Sequence, residues 1–105
     1  MQYTFLANLA QEVAVPENGI LSRVLHKDAQ SNITLFAFAA GEELSAHSAP
    51  TPAVLYFLEG EAEVQLGSDT VQAHAGSFLF MPPMLSHGIA ARTAVKMLLV
   101  QIKQP

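Results

Sequence analysis

Residues 53–76 read AVLYFLEGEAEVQLGSDTVQAHAG, and the period of this stretch decides the fold class. Within it Glu61-Ala62-Glu63-Val64-Gln65-Leu66 alternates polar and apolar without exception, the pattern of a strand with one face on a core and one in water. Ala62, Val64 and Leu66 are therefore expected inside. Gly67-Ser68-Asp69 supplies the residues of a hairpin turn, and Thr70 to His74 repeats the alternation, with Val71 and Ala73 inward and Thr70, Gln72 and His74 outward. Upstream, Glu59-Gly60 turns out of an apolar strand, Ala53 to Leu58.

Short runs of the same kind extend in both directions. Ile20 to His26 is rich in strand formers, Asp28 to Asn32 reads as a hairpin loop, and Ile33 to Ala39 follows before Gly41 ends the strand. Beyond Gly76, Ser77 to Met81 leads into Pro82-Pro83, which cannot continue a central strand, and His87 to Ala91 and Ala94 to Ile102 complete the series. Leu6 to Glu12 has room for one short helical turn before Pro16, Asn18 and Gly19 break it. Strands recur about every ten residues with no strong helix between them, which predicts an all-β sandwich or barrel.

Composition narrows the function classes. The 105 residues suit one domain, 1–105, and half of them are hydrophobic against 13% charged, enough apolar material for a core. A net charge of −4 leaves no basic footprint, so nucleic acid is not an expected partner. There is no cysteine, hence no disulfide and no thiolate chemistry, and the expected location is cytoplasmic. Neither a signal-like N-terminus nor an apolar run of membrane-spanning length is read, so no membrane partner is expected. A mean hydropathy of +0.29 is high for so small a chain, and Val95 to Ile102 is apolar on both faces. A homodimer through the outer face of that strand is the expectation.

The blocks Gly41 to Gly60 and Gly76 to Ala91 resemble the two motifs of the cupin superfamily. The first motif has Gly, five residues, His, one residue, His, three or four residues, Glu, six residues, Gly; Gly41, His47 and Gly60 match, while Ala49 and Ala53 stand at the second His and the Glu. The second has Gly, five residues, Pro, one residue, Gly, two residues, His, three residues, Asn; Gly76, Pro82 and His87 match, while Met84 stands for Gly and Ala91 for Asn. The resemblance implies a small double-stranded β-helix, or jelly-roll, barrel. It also implies that His47 and His87 share an interior site with Ala49, Ala53 and Met84 around them.

Two functions follow from that arrangement. In the first, the barrel binds a small-molecule ligand and the imidazoles are polar anchors in an apolar pocket, which the alanine side chains enlarge. In the second, His47 and His87 hold one divalent transition metal (Fe, Mn, Ni or Zn) with a borrowed third ligand, as in a metal-dependent dioxygenase or isomerase. His26 is the candidate for that third position, since Ser22, Val24 and His26 share the strand face opposite Arg23 and Lys27. Parity sends Tyr56 out of the barrel, Glu59, Glu61 and Glu63 into water and His74 onto the surface. Phe36, Phe38, Phe57, Phe78 and Phe80 are expected mostly in the core, with Met81 and Met84 as adaptable fillers or pocket walls. Catalytic residues are not assignable. Ser45, Ser48, Ser77 and Ser86 lack a nucleophile elbow, and Glu42 and Glu43 are the only acid pair near His47.

Overall fold

The computed structural model describes residues 1–103. Among them nine strands are laid down in order: β1 (Ile20–Lys27), β2 (Ser31–Phe38), β3 (Glu43–His47), β4 (Ala53–Glu59), β5 (Glu61–Leu66), β6 (Asp69–His74), β7 (Phe78–Met81), β8 (His87–Ala91) and β9 (Val95–Ile102). A five-stranded sheet runs β1-β2-β9-β4-β7 and a four-stranded sheet β3-β8-β5-β6, with every paired neighbour antiparallel. The late strands β8 and β9 insert between early ones. That interleaving makes the two sheets a jelly-roll barrel, as the strand rhythm and the motifs predict.

The core lies between the sheets. Phe38, Leu55, Phe57, Val64, Met81, Val95 and Met97 are almost completely buried there, joined by Ala53, Ala62, Ala73, Ile89 and Ala91. Each large side chain so removed from water contributes about 1.5–3 kcal/mol of transfer free energy. Gly60 permits the tight passage from β4 to β5, because its φ is +90° and a Cβ on it would stand 2.0 Å from the Ala94 carbonyl oxygen. No L side chain fits that position.

A second apolar layer covers part of the outer face of the five-stranded sheet. The N-terminal segment, with one 3-10 turn at Leu9–Gln11, packs Leu9, Val13 and Val15 on Leu25, Leu35, Ala37, Leu58 and Leu98. An Arg23–Glu12 ion pair at 2.6 Å and a hydrogen bond from Lys96 Nζ to the Ala10 carbonyl fasten it. The outer face of β9 is thus covered in part by the chain itself, through Leu98.

Two expectations are corrected, and one strand is added. Phe78 and Phe80 are 68% and 53% exposed, because the register Ala53↔Met81 and Leu55↔Leu79 puts Met81 and Leu79 inside and the two phenylalanines outside, beside Tyr56. Val71 pairs with the buried Val64 yet remains 40% exposed, since β6 is an edge strand. β3, which no alternating run announces, forms by pairing with β8.

Candidate functional site

His47 closes β3 and His87 opens β8, and the two are direct cross-strand partners. Their ring centroids are 4.4 Å apart with the planes tilted by 56°. Simple alternation would not bring them together. Leu44 packs on the core and pairs with buried Ile89, so a regular strand would turn Ala46 inward and His47 out. A β-bulge between Leu44 and His47 adds one residue to β3 and returns the imidazole to the interior face. Gly88 makes room for it: a Cβ there would lie 3.2 Å from Ala46 N and 3.3 Å from both Ala46 Cα and Leu44 O.

Both rings are oriented by the same local device. Nδ1 of His47 lies 2.9 Å from the Ser45 carbonyl oxygen, and Nδ1 of His87 lies 2.9 Å from that of Leu85. A carbonyl only accepts, so Nδ1 carries the hydrogen and Nε2 of each neutral ring is left as a free acceptor. Backbone carbonyls orient metal-bound and ligand-bound imidazoles in this way. The pair stands at an open end of the barrel, with His47 exposed and His87 half-buried, and not deep in an enclosed hollow.

The other residues implied by the motifs surround the same end. Ala53 is buried at the start of β4, between Met81 on β7 and Gln101 on β9. Ala49 is half-buried in the loop after β3, and its carbonyl accepts the Met84 N–H at 2.7 Å, joining the two motif loops. Met84 adopts φ +69°, the left-handed conformation natural to the glycine that the family has there. Its side chain is 64% exposed at the rim. The Gly67 N–H to Ser86 carbonyl bond, 2.8 Å, ties the β5–β6 turn to the same rim.

His26 does not join the site. A second bulge, between Val24 and His26, shifts the register so that His26 pairs with Ile33 on the outer face, where both line a groove with Leu6, Leu9 and Leu25. Its Nε2 lies 2.6 Å from Asp28 Oδ2. His74 is exposed, and Glu42 accepts a bond from the Gly19 N–H at the far end of the barrel. Among the described residues no group of three or more His, Cys, Asp or Glu side chains could hold a metal ion. The donors present, two imidazoles beside two alanines, do not make up the carboxylate-containing set that the family motif carries.

Sequence reasoning missed the polar neighbours contributed by the five-stranded sheet. Asn32 Nδ2 donates to Gln101 Oε1 at 3.2 Å, and Asn32 Oδ1 is buried with no hydrogen-bond partner. The signal was a polar residue, Asn32 and Gln101, near the same end of two mostly apolar strands.

Comparison with known proteins agrees with this architecture. The model of the cupin domain family matches residues 34–101. A conserved protein of unknown function from Streptococcus pyogenes, SPY1581, is 31% identical with a TM-score of 0.90, over 100% of this chain and 92% of that one. A cupin superfamily protein from Desulfitobacterium hafniense is 28% identical with a TM-score of 0.88, over 91% and 88%. The polyketide cyclase RemF from Streptomyces resistomycificus is 20% identical with a TM-score of 0.74, over 88% and 71%, and shares the fold. No curated protein matches the sequence. The chain therefore belongs to the cupin domain family.

Proposed function

We propose that this cupin barrel binds a small molecule against His47 and His87, with Ala49, Ala53 and Met84 around it. The observation that carries the reading is the pair of free Nε2 acceptors, held side by side by two backbone carbonyls and a β-bulge. Two alanines where the family motif has ligand side chains remove charge and donor atoms next to them. Purified, unchelated protein is expected to carry far less than one metal per chain, and native mass spectrometry to find a co-purified small molecule that is lost on His87→Ala. Stoichiometric Fe, Mn, Ni or Zn that disappears on His47→Ala would overturn this reading.

That contrary result would favour the second reading, a metal-dependent enzyme of dioxygenase or isomerase type. Its support is that both rings already have the tautomer that ligation requires. Added metal would then raise the melting temperature by mass action.

The partner of the barrel as a whole is a second copy of the chain. Tyr56, Phe78 and Phe80 form an exposed aromatic group on the outer face of β4 and β7, which supports a homodimer centred there and not on β9. Among the described residues no helix is long and apolar enough to cross a membrane. A cysteine-free chain fits the cytoplasm.

A further inference from the structure

Across the five-stranded sheet, one row of inward positions runs along the end that holds the imidazoles. The register pairs Lys27 with Asn32, Asn32 with Gln101, Gln101 with Ala53, and Ala53 with Met81. The bulge that expels His26 is what puts Lys27 on this face. The row therefore begins with a cation and two amides. On the four-stranded sheet the same end presents His47 and His87.

The hydrogen-bonding groups of this row are only partly paired with one another. Asn32 gives its Nδ2 hydrogen to Gln101 Oε1, which leaves the Gln101 Nε2 group without a protein acceptor among the described residues. Lys27 is likewise uncommitted. The other four of the five basic residues are engaged by the fold: Arg23 by Glu12, Arg92 by Glu63, Lys96 by the Ala10 carbonyl and Lys103 by the Asp28 carbonyl. Among the described residues Lys27 makes no such bond. One side of the mouth thus offers the Gln101 Nε2 donors and a positive charge beside the unpaired Asn32 Oδ1, and the other offers two imidazole Nε2 acceptors.

No acidic side chain stands in the row that Lys27 begins. Glu43, Glu61 and Glu63 lie on the outer face of the four-stranded sheet, and Glu42 is at the opposite end of the barrel. Asp28, beside Lys27 in the β1–β2 turn, is engaged by His26 and by the Gln30 and Ser31 N–H groups, and Asp69 pairs with Leu66 in the row that carries His87, at this same end on the opposite sheet. In a chain of net charge −4, an interior-facing row with a cation and no acid is where a small anion finds its counter-charge.

We infer that the ligand is a small carboxylate that also carries a hydroxyl, resting on the reading above that this mouth is the binding site. The carboxylate meets the Lys27 ammonium and the Gln101 amide. The hydroxyl donates to the imidazole pair, and an apolar tail lies toward Phe36 and Leu99, which pack on the core from the same sheet.

The test uses 2-hydroxyhexanoate, 2-hydroxyhexanamide and hexanoate on the intact protein, with the His47 and His87 ring signals followed by NMR. The hydroxy acid is expected to shift both rings and to bind about fivefold more tightly than either comparison compound, since charge-assisted bonds are stronger but an exposed lysine is screened. Lys27→Gln, at an exposed position, is expected to remove the preference for the acid over the amide and leave the fold intact. Equal binding of acid and amide, with the rings still responding, would overturn the carboxylate assignment alone. No ring response to any of the three would overturn the binding-site reading beneath it as well.

Discussion

Gly88 faces the Ala46 backbone at the β3 bulge so closely that a single methyl group would crowd it, at 3.2 Å from Ala46 N and 3.3 Å from Ala46 Cα. The contact is with main chain, which cannot step aside as a side-chain tip can. Gly88→Ala is expected to cost about 1–2 kcal/mol and to push β3 away from β8. The measurement is the melting temperature together with the nuclear Overhauser contact between the His47 and His87 rings. A variant that keeps both would show that the bulge needs no glycine opposite it.

Met84 is the one described non-glycine residue at positive φ, and its side chain projects from the rim. A left-handed backbone costs an L residue about 1–2 kcal/mol, partly offset by the chain entropy that glycine loses on folding. Met84→Gly is expected to stabilise the protein by about 0.5–1 kcal/mol, a rise of a few degrees in melting temperature. Met84→Val, with a branched side chain at the same φ, should lower it. A destabilised glycine variant would mean that the thioether contributes more contact than its exposure suggests.

The aromatic group on β4 and β7 makes a prediction about mass in solution. Phe78 and Phe80 are 68% and 53% exposed on an edge strand of four residues. Phe80→Glu is expected to halve the sedimentation mass while the melting temperature at low protein concentration stays within a few degrees of the parent. A parent already of monomer mass at micromolar concentration would remove the dimer from the account.

Asp28 organises the β1–β2 turn. The His26 side chain, followed by the Gln30 and Ser31 N–H groups, holds its carboxyl well below the usual carboxylate range. A carboxyl depressed on folding adds stability above its unfolded value, about 3.9, and loses it as pH falls through the folded value. The Asp28 side-chain carbon resonance should therefore stay flat from pH 7 down to about 3, after most other carboxylates have titrated. A midpoint near 4 would mean that the turn bonds are not maintained in solution. Asp28→Asn is expected to loosen Gln30 and Ser31, seen as faster amide exchange.

Much of the barrel was legible from period alone. Glu61–Leu66 has the bounds that its alternation gives, because the strand has one face on the core and one toward solvent and its turns are marked by Gly60 and Gly67. Motif spacing brought attention to His47 and His87. Two bulges were not legible, since one extra residue inverts every parity argument beyond it. That is why His26 was expected inward and is outward, and why Lys27 looked like ordinary surface charge. Phe78 and Phe80 misled for another reason: an apolar outer face has the same composition as a core.

The bulge in β3 also makes chain length, more than residue type, the variable that governs where His47 looks. Substituting Ser45 or Ala46 leaves the count of residues intact and the ring facing its partner. Deleting either one would restore plain alternation and swing the imidazole to the solvent side of the sheet, so a loss of three bases in the coding sequence would disarm the mouth more thoroughly than most replacements nearby.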